Sequence, residues 1–162
     1  MTMLLGVVSD THGDIEHTRS ACAMLGSFKV GEVLHCGDID TAEIVLLFQQ
    51  WPTHFVFGNC DHDRRLLKKA IEAAGQTCHE RFGSLEIESV RIAFLHGDDG
   101  RLLEETATSG SWGMVCHGHT HVARQEWLGN TLVLNPGAVH RANPHSIAVV
   151  EVPSRTVHLI EI

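Results

Sequence analysis

The first half of the chain alternates short apolar runs with helical patterns. Five runs stand out: Leu4 to Val8, Glu32 to His35, His54 to Phe57, Arg91 to Leu95 and Met114 to Cys116. Their near-continuous apolar character suits strands covered on both faces. Ile15 to Leu25 and Thr41 to Gln50 carry helical periodicity, the second opened by Asp40 as N-cap with Glu43 at capping-box spacing. Arg64 to Ala74 predicts a more polar third helix. Arg101 to Thr108 predicts a short fourth, ended by Ser109-Gly110-Ser111. The remainder reads as two antiparallel hairpins: Arg124 to Trp127 with Thr131 to Leu134 around Gly129-Asn130, and Ser146 to Val152 with Thr156 to Ile162 around Pro153-Ser154. A mixed α/β domain with two sheets follows. No linker or tandem repeat interrupts it, so residues 1–162 are expected to form one domain.

Each of the five apolar runs ends in the same way, with a glycine beside a carboxylate, amide or imidazole. They read Ser9-Asp10-Thr11-His12-Gly13, Cys36-Gly37-Asp38, Gly58-Asn59-Cys60-Asp61, His96-Gly97-Asp98 and His117-Gly118-His119-Thr120-His121. Ligands of open α/β sheets bind outside the carboxyl ends of the strands, so five such ends bring these groups to one rim. Asp10, His12, Asp38, Asn59, His96, His119 and His121 then supply seven mixed nitrogen and oxygen donors with no necessary thiolate. That set suits manganese, iron, cobalt, nickel or zinc rather than calcium or an iron–sulfur cluster. Seven donors exceed the needs of one open catalytic ion. Two divalent ions about 3.5–4 Å apart, sharing a carboxylate and a bridging hydroxide nucleophile, use them all and suit in-line displacement at phosphorus.

Composition narrows the partners. The 12 basic and 20 acidic residues give a formal charge of −8 with no basic stripe, which disfavours duplex nucleic acid and anionic membranes. No apolar run is long enough for a membrane span. Met1 to Val8 has no basic flank and leads directly into Asp10, so no secretory leader is expected and the cytoplasm is the expected location. Five cysteines without CxxC spacing argue against a disulfide framework or a zinc knuckle. An edge strand or apolar patch would allow self-association.

Together, Asp10-x-His12, Gly37-Asp38, Gly58-Asn59-x-Asp61, His96-Gly97 and Gly118-His119-x-His121 resemble the calcineurin-like metallophosphoesterases. The turn Asn135-Pro136-Gly137-Ala138 and the closing hairpin resemble the small single-domain prokaryotic phosphodiesterases of that superfamily. The resemblance implies a four-layer αββα sandwich of two mixed sheets. It also implies one ion on Asp10, His12 and His121, another on Asn59, His96 and His119, and Asp38 bridging both, with manganese foremost. The implied activity is hydrolysis of small phosphodiesters. Phosphomonoester hydrolysis, or a protein-assembly scaffold with little catalysis, are the alternatives.

Asp38, Asn59, Cys60 and Asp61 are the candidate catalytic residues. Cys60 stands where many members carry a histidine, and a thiol serves poorly as proton donor there, so good leaving groups are favoured. Asp61 is expected to orient its loop, Asp14 to cap the first helix and Asp98 or Asp99 to cap the helix near Arg101. His62, His140 and Arg141 are candidate substrate contacts, and His117 a hydrogen-bonding neighbour of the metal ligands.

Overall fold

The computed structural model describes residues 2–162; residue 1, where the stretch read as lacking a leader begins, lies outside the described residues. In chain order the elements are β1 (Met3–Val8), α1 (Ile15–Phe28), β2 (Glu32–His35), α2 (Ala42–Leu47), β3 (Thr53–Phe55), α3 (Arg64–Ala73), β4 (Thr77–Cys78), β5 (Phe82–Ile87), β6 (Val90–Leu95), α4 (Gly100–Thr108), β7 (Met114–Cys116), β8 (Arg124–Leu128), β9 (Thr131–Asn135), β10 (Ser146–Val152) and β11 (Thr156–Glu161). They build a six-stranded sheet ordered β11-β10-β1-β2-β3-β4 and a five-stranded sheet ordered β5-β6-β7-β9-β8. Both are mixed. β1, β2 and β3 run parallel, and so do β6, β7 and β9, whereas β10, β11, β5 and β8 are added antiparallel.

Strand periodicity decides the layering. In β1, Leu5 and Val7 point between the sheets, where they meet Leu34, Ile92, Phe94, Met114 and Leu132. Val8 faces the other way, into a core with Leu25 of α1, Ile44 of α2 and Leu67 of α3. A side chain at Gly6 would put a Cβ 2.7 Å from Leu25, so α1 rests directly on the β1 backbone. The outer face of the second sheet is covered more thinly, by α4 through Leu103 over Ala93, Leu95 and Val115. The result is the expected αββα sandwich.

Two expected boundaries need correction. β3 ends at Phe55 rather than Phe57; Val56 and Phe57 stay buried, but the chain is already turning into the Gly58 loop. α2 spans only Ala42–Leu47, with Thr41 as N-cap and no side-chain cap bond, so Asp40 does not cap it. The Asp40 backbone is left-handed at φ 68°, its N–H donates to Asp61, and its carboxylate turns to His12 instead. Strands β4 and β5 were not anticipated. β4 has two residues, and β5 is half polar with Gly83 at a point where the Phe94 ring leaves no room for a Cβ.

Candidate metal centre

The turns after β1, β2, β3, β6 and β7 meet at one rim that spans both sheets. Backbone bonds lock them together: Asp10 N–H donates to the Gly37 carbonyl at 3.0 Å, His12 N–H to the Asp38 carbonyl at 2.9 Å, and Gly118 N–H to the His96 carbonyl at 2.9 Å. Asp10, His12, Asp38, His119 and His121 all hold φ between 44° and 71°. Side chains other than glycine adopt that conformation at a cost of roughly 1–2 kcal/mol each. Such strain persists where surrounding structure over-determines it, and it concentrates at functional sites.

Five of the seven expected ligands form tight groups. Asp10, His12 and His121 make one, and Asp10, Asp38 and His96 another; a third joins His12 and Asp38 with Cys60. His121 Nε2 lies 3.1 Å from Asp10 Oδ1, and His96 Nε2 lies 3.1 Å from Asp38 Oδ2. His12 Nε2 sits 3.5 Å from a carboxylate oxygen of both Asp10 and Asp38, between the two groups. His119 reaches the cluster through its ring, edge-on to His96 with centroids 5.2 Å apart. Asn59 stands on the turn after β3, with its side-chain amide nitrogen 3.7 Å from Cys60 Sγ.

The far side of each imidazole sets its tautomer. His96 Nδ1–H donates to the Cys36 carbonyl at 2.8 Å and His121 Nδ1–H to the Arg141 carbonyl at 3.1 Å. A carbonyl only accepts, so Nδ1 carries the proton and the neutral ring presents the Nε2 lone pair to the centre. His12 Nδ1 faces Asp40 Oδ2 at 3.3 Å in the same way. Lone pairs therefore face carboxylate oxygens, and Asp10 Oδ1 and His96 Nε2 are buried with no hydrogen-bond partner among the described residues. Acceptors packed against acceptors fit divalent cations between them.

The local charge agrees. Burial works to raise the Asp10 carboxyl, but the adjacent imidazoles of His12, His96 and His121 and the hydrogen bond from Ser9 hold it below its ordinary value. Asp38 is likewise held well below the carboxylate range against burial, chiefly by His96 and the Cys60 N–H. The Asp10 carboxylate close beside it raises His12 against burial. His96 is raised too, Asp38 and Asp10 outweighing burial. Two buried carboxylates thus create a field that favours positive charge at this rim. Burial, reinforced by Asp38, pushes the Cys60 thiol up to about 11, so it stays protonated near neutral pH.

Asp61 lies behind the ligands, and its two carboxylate oxygens accept from four backbone amides. Oδ2 takes Gly58 N–H at 2.8 Å and Asp38 N–H at 3.0 Å; Oδ1 takes Ile39 N–H at 2.9 Å and Asp40 N–H at 2.8 Å. This one side chain ties the Gly37-Asp38 turn to the Gly58-Asn59 turn. Asp38 Oδ1 adds a bond from Cys60 N–H at 2.8 Å.

The other candidates have separate places. Asp14 caps α1 by accepting from His17 N–H, and its Oδ2 also meets His140 Nδ1 at 2.7 Å. Asp99 caps α4, whereas Asp98 pairs with Arg81 at 2.8 Å. The His140 ring lies 5.9 Å from that of His12. Arg141 touches the centre through its carbonyl, its side chain being exposed, and His62 is exposed too. His117 bonds to the neighbouring Gly118 carbonyl. The backbone carbonyls of Cys36 and Arg141 have no sequence signal. Asp40 has one, a third carboxylate two residues after Asp38, which helix capping appeared to explain.

A family model described as the calcineurin-like phosphoesterase superfamily domain matches residues 3–155. A Methanocaldococcus jannaschii protein named phosphodiesterase is 30% identical over 138 residues, covering 83% of each chain. A Bacillus subtilis protein named probable metallophosphoesterase is 29% identical over 164 residues, covering 96% of this chain and 89% of its own. The solved structure of a novel archaeal phosphodiesterase superposes with a TM-score of 0.91 at 26% identity, over 99% of this chain and all of the other.

Proposed function

The chain belongs to the calcineurin-like phosphoesterase superfamily, and from that membership we propose that it is a binuclear metal-dependent phosphodiesterase of small phosphodiesters. In this reading Asp10, His12 and His121 hold one ion, Asn59, His96 and His119 the other, and Asp38 both. Divalent ions held by these residues would supply Lewis acidity toward phosphoryl oxygens and toward a nucleophilic water. The observation that carries the reading is the packing of acceptors against acceptors, with Asp10 Oδ1 and His96 Nε2 buried and unpartnered.

The remaining residues divide the labour. Asp61 is a positioning residue, since its four amide bonds fix the two turns that present Asp38 and Asn59. Cys60 keeps its proton and transfers it poorly, which favours esters whose leaving oxygen needs no protonation. The acidic balance of the chain repels polyanions and favours small esters.

The test uses protein stripped by chelation and reloaded separately with manganese, nickel, cobalt or zinc. Each form is assayed against mono-, di- and cyclic phosphoesters. The reading expects metal-dependent hydrolysis strongest on diesters. A monoester preference would move the assignment to a phosphomonoesterase, and no hydrolysis under any metal would leave a scaffold.

A further inference from the structure

At the edge of the second sheet, β8 has β9 on one side and, among the described residues, no strand on the other. Its apolar side chains are partly exposed, although the Arg155 guanidinium lies over one face of the Trp127 ring, 4.7 Å from its centroid. Trp127 is 52% exposed, Leu128 38%, and Val122, just before the strand, 63%. The usual defences of a free edge are missing, since Val122 to Leu128 contains no proline and no lysine. Only Arg124 and Glu126 are charged in this stretch, and they carry opposite signs.

The backbone fixes which groups face outward. β8 and β9 are joined by Gly129-Asn130, with Gly129 at φ 60°, and Leu128 stands opposite Thr131. A two-residue hairpin loop closes on a hydrogen-bonded pair, and such pairs alternate along the ladder. Leu128, Glu126 and Arg124 therefore bond inward to β9, and Trp127 and Gln125 turn their N–H and C=O groups outward. Antiparallel pairing with a second β8 centred on Gln125 would let the two Gln125 residues exchange both backbone bonds. Arg124 then stands opposite Glu126 of the second copy, twice over, and Val122 stands opposite Leu128.

We propose that the protein forms a two-fold symmetric dimer by antiparallel β8–β8 pairing about Gln125. The register satisfies outward-facing amides, sets opposite charges against each other and covers the exposed apolar positions with their own counterparts, as an isologous interface requires. Two five-stranded sheets become one of ten strands, within the size open sheets reach. The other free edges lack this self-complementarity: β4 has two residues, β5 carries Glu86 with no cation, and β11 carries Glu161 with no lysine or arginine. Centring the pair one residue later sets Glu126 opposite itself, and one residue earlier sets Arg124 opposite itself, so either displacement loses the charge match. The centring on Gln125 is thus selected by side chains as well as by the amides.

The test is sedimentation velocity of the full chain from micromolar to near-millimolar concentration. The wild type is expected to dimerise. Arg124→Glu sets like charges opposite each other and should give a monomer, as should Glu126→Arg. An equimolar mixture of those two variants should dimerise, because each Glu then meets an Arg across the interface. Gln125→Pro, which removes the central N–H, should stay monomeric alone and in every mixture. Circular dichroism confirms that each variant is folded. A monomeric wild type at all concentrations, a dimer that persists in Arg124→Glu and Gln125→Pro, or a mixture that stays monomeric would each overturn the proposal.

Discussion

Replacing Asp61 by Asn tests the architecture of the site without touching a ligand. The carboxylate accepts from four main-chain amides, two at each oxygen, at 2.8–3.0 Å. An amide keeps one accepting oxygen and sets an NH2 group against the other two donors, whichever way it is flipped. Two buried N–H groups lose their acceptor, at roughly 1–3 kcal/mol each, so the expected loss is about 2–6 kcal/mol. That is a large part of the roughly 5–15 kcal/mol by which a domain is stable. Urea unfolding of the chelated wild type and Asp61→Asn measures it. Because the freed amides belong to the turns presenting Asp38 and Asn59, manganese titration of the folded variant should also show affinity weakened about 10- to 100-fold, the usual effect of removing a group that orients metal ligands. A loss below about 1 kcal/mol with unchanged manganese affinity would refute the reasoning.

Three further outcomes follow from other parts of the structure. Gly118→Ala would drive a Cβ into Ser9 Oγ and the Asp10 carboxylate, so metal affinity and phosphoesterase activity should each fall by up to about 100-fold; Gly100→Ala, with open space around it, is the control that should match the wild type. His35 is fully buried, and burial lowers its pKa from 6.5 to about 3, so the unfolded chain takes up a proton there that the folded chain refuses. Stability should therefore be complete above about pH 6.5 and fall by up to about 1.4 kcal/mol per pH unit toward pH 3; urea unfolding of chelated protein from about pH 7 to about pH 5 should show a shallower slope for His35→Gln, and equal slopes would contradict it. Cys60→His replaces a thiol held near 11 with a group titrating near neutrality, and it should speed hydrolysis of poor leaving groups by up to about 100-fold while leaving good ones little changed. A uniform response across a leaving-group series measures against that role.

The site was legible because its signal repeats. Five apolar runs each end in glycine and a donor, and strand ends of an α/β sheet converge by topology, so Asp10, His12, Asp38, His96 and His121 could be gathered without coordinates. The fold was legible where burial on both faces left continuous apolar runs. It was opaque where a strand lies at an edge: β5 shows Phe82-Gly83-Ser84-Leu85-Glu86-Ile87, too polar to stand out. Asp40 misled because a carboxylate ahead of a helical stretch satisfies the capping rule equally well. What decided its place was the long-range bond from its amide to Asp61, 21 residues away. Proton positions on the histidines were equally hidden, since the Cys36 and Arg141 carbonyls that fix them are backbone atoms common to every residue.

The central claim is that this rim holds two divalent ions. Elemental analysis of protein equilibrated with manganese and dialysed free of excess counts them per chain. The account predicts two in the wild type, with one lost in His121→Ala. A wild type that retains one ion or none contradicts it.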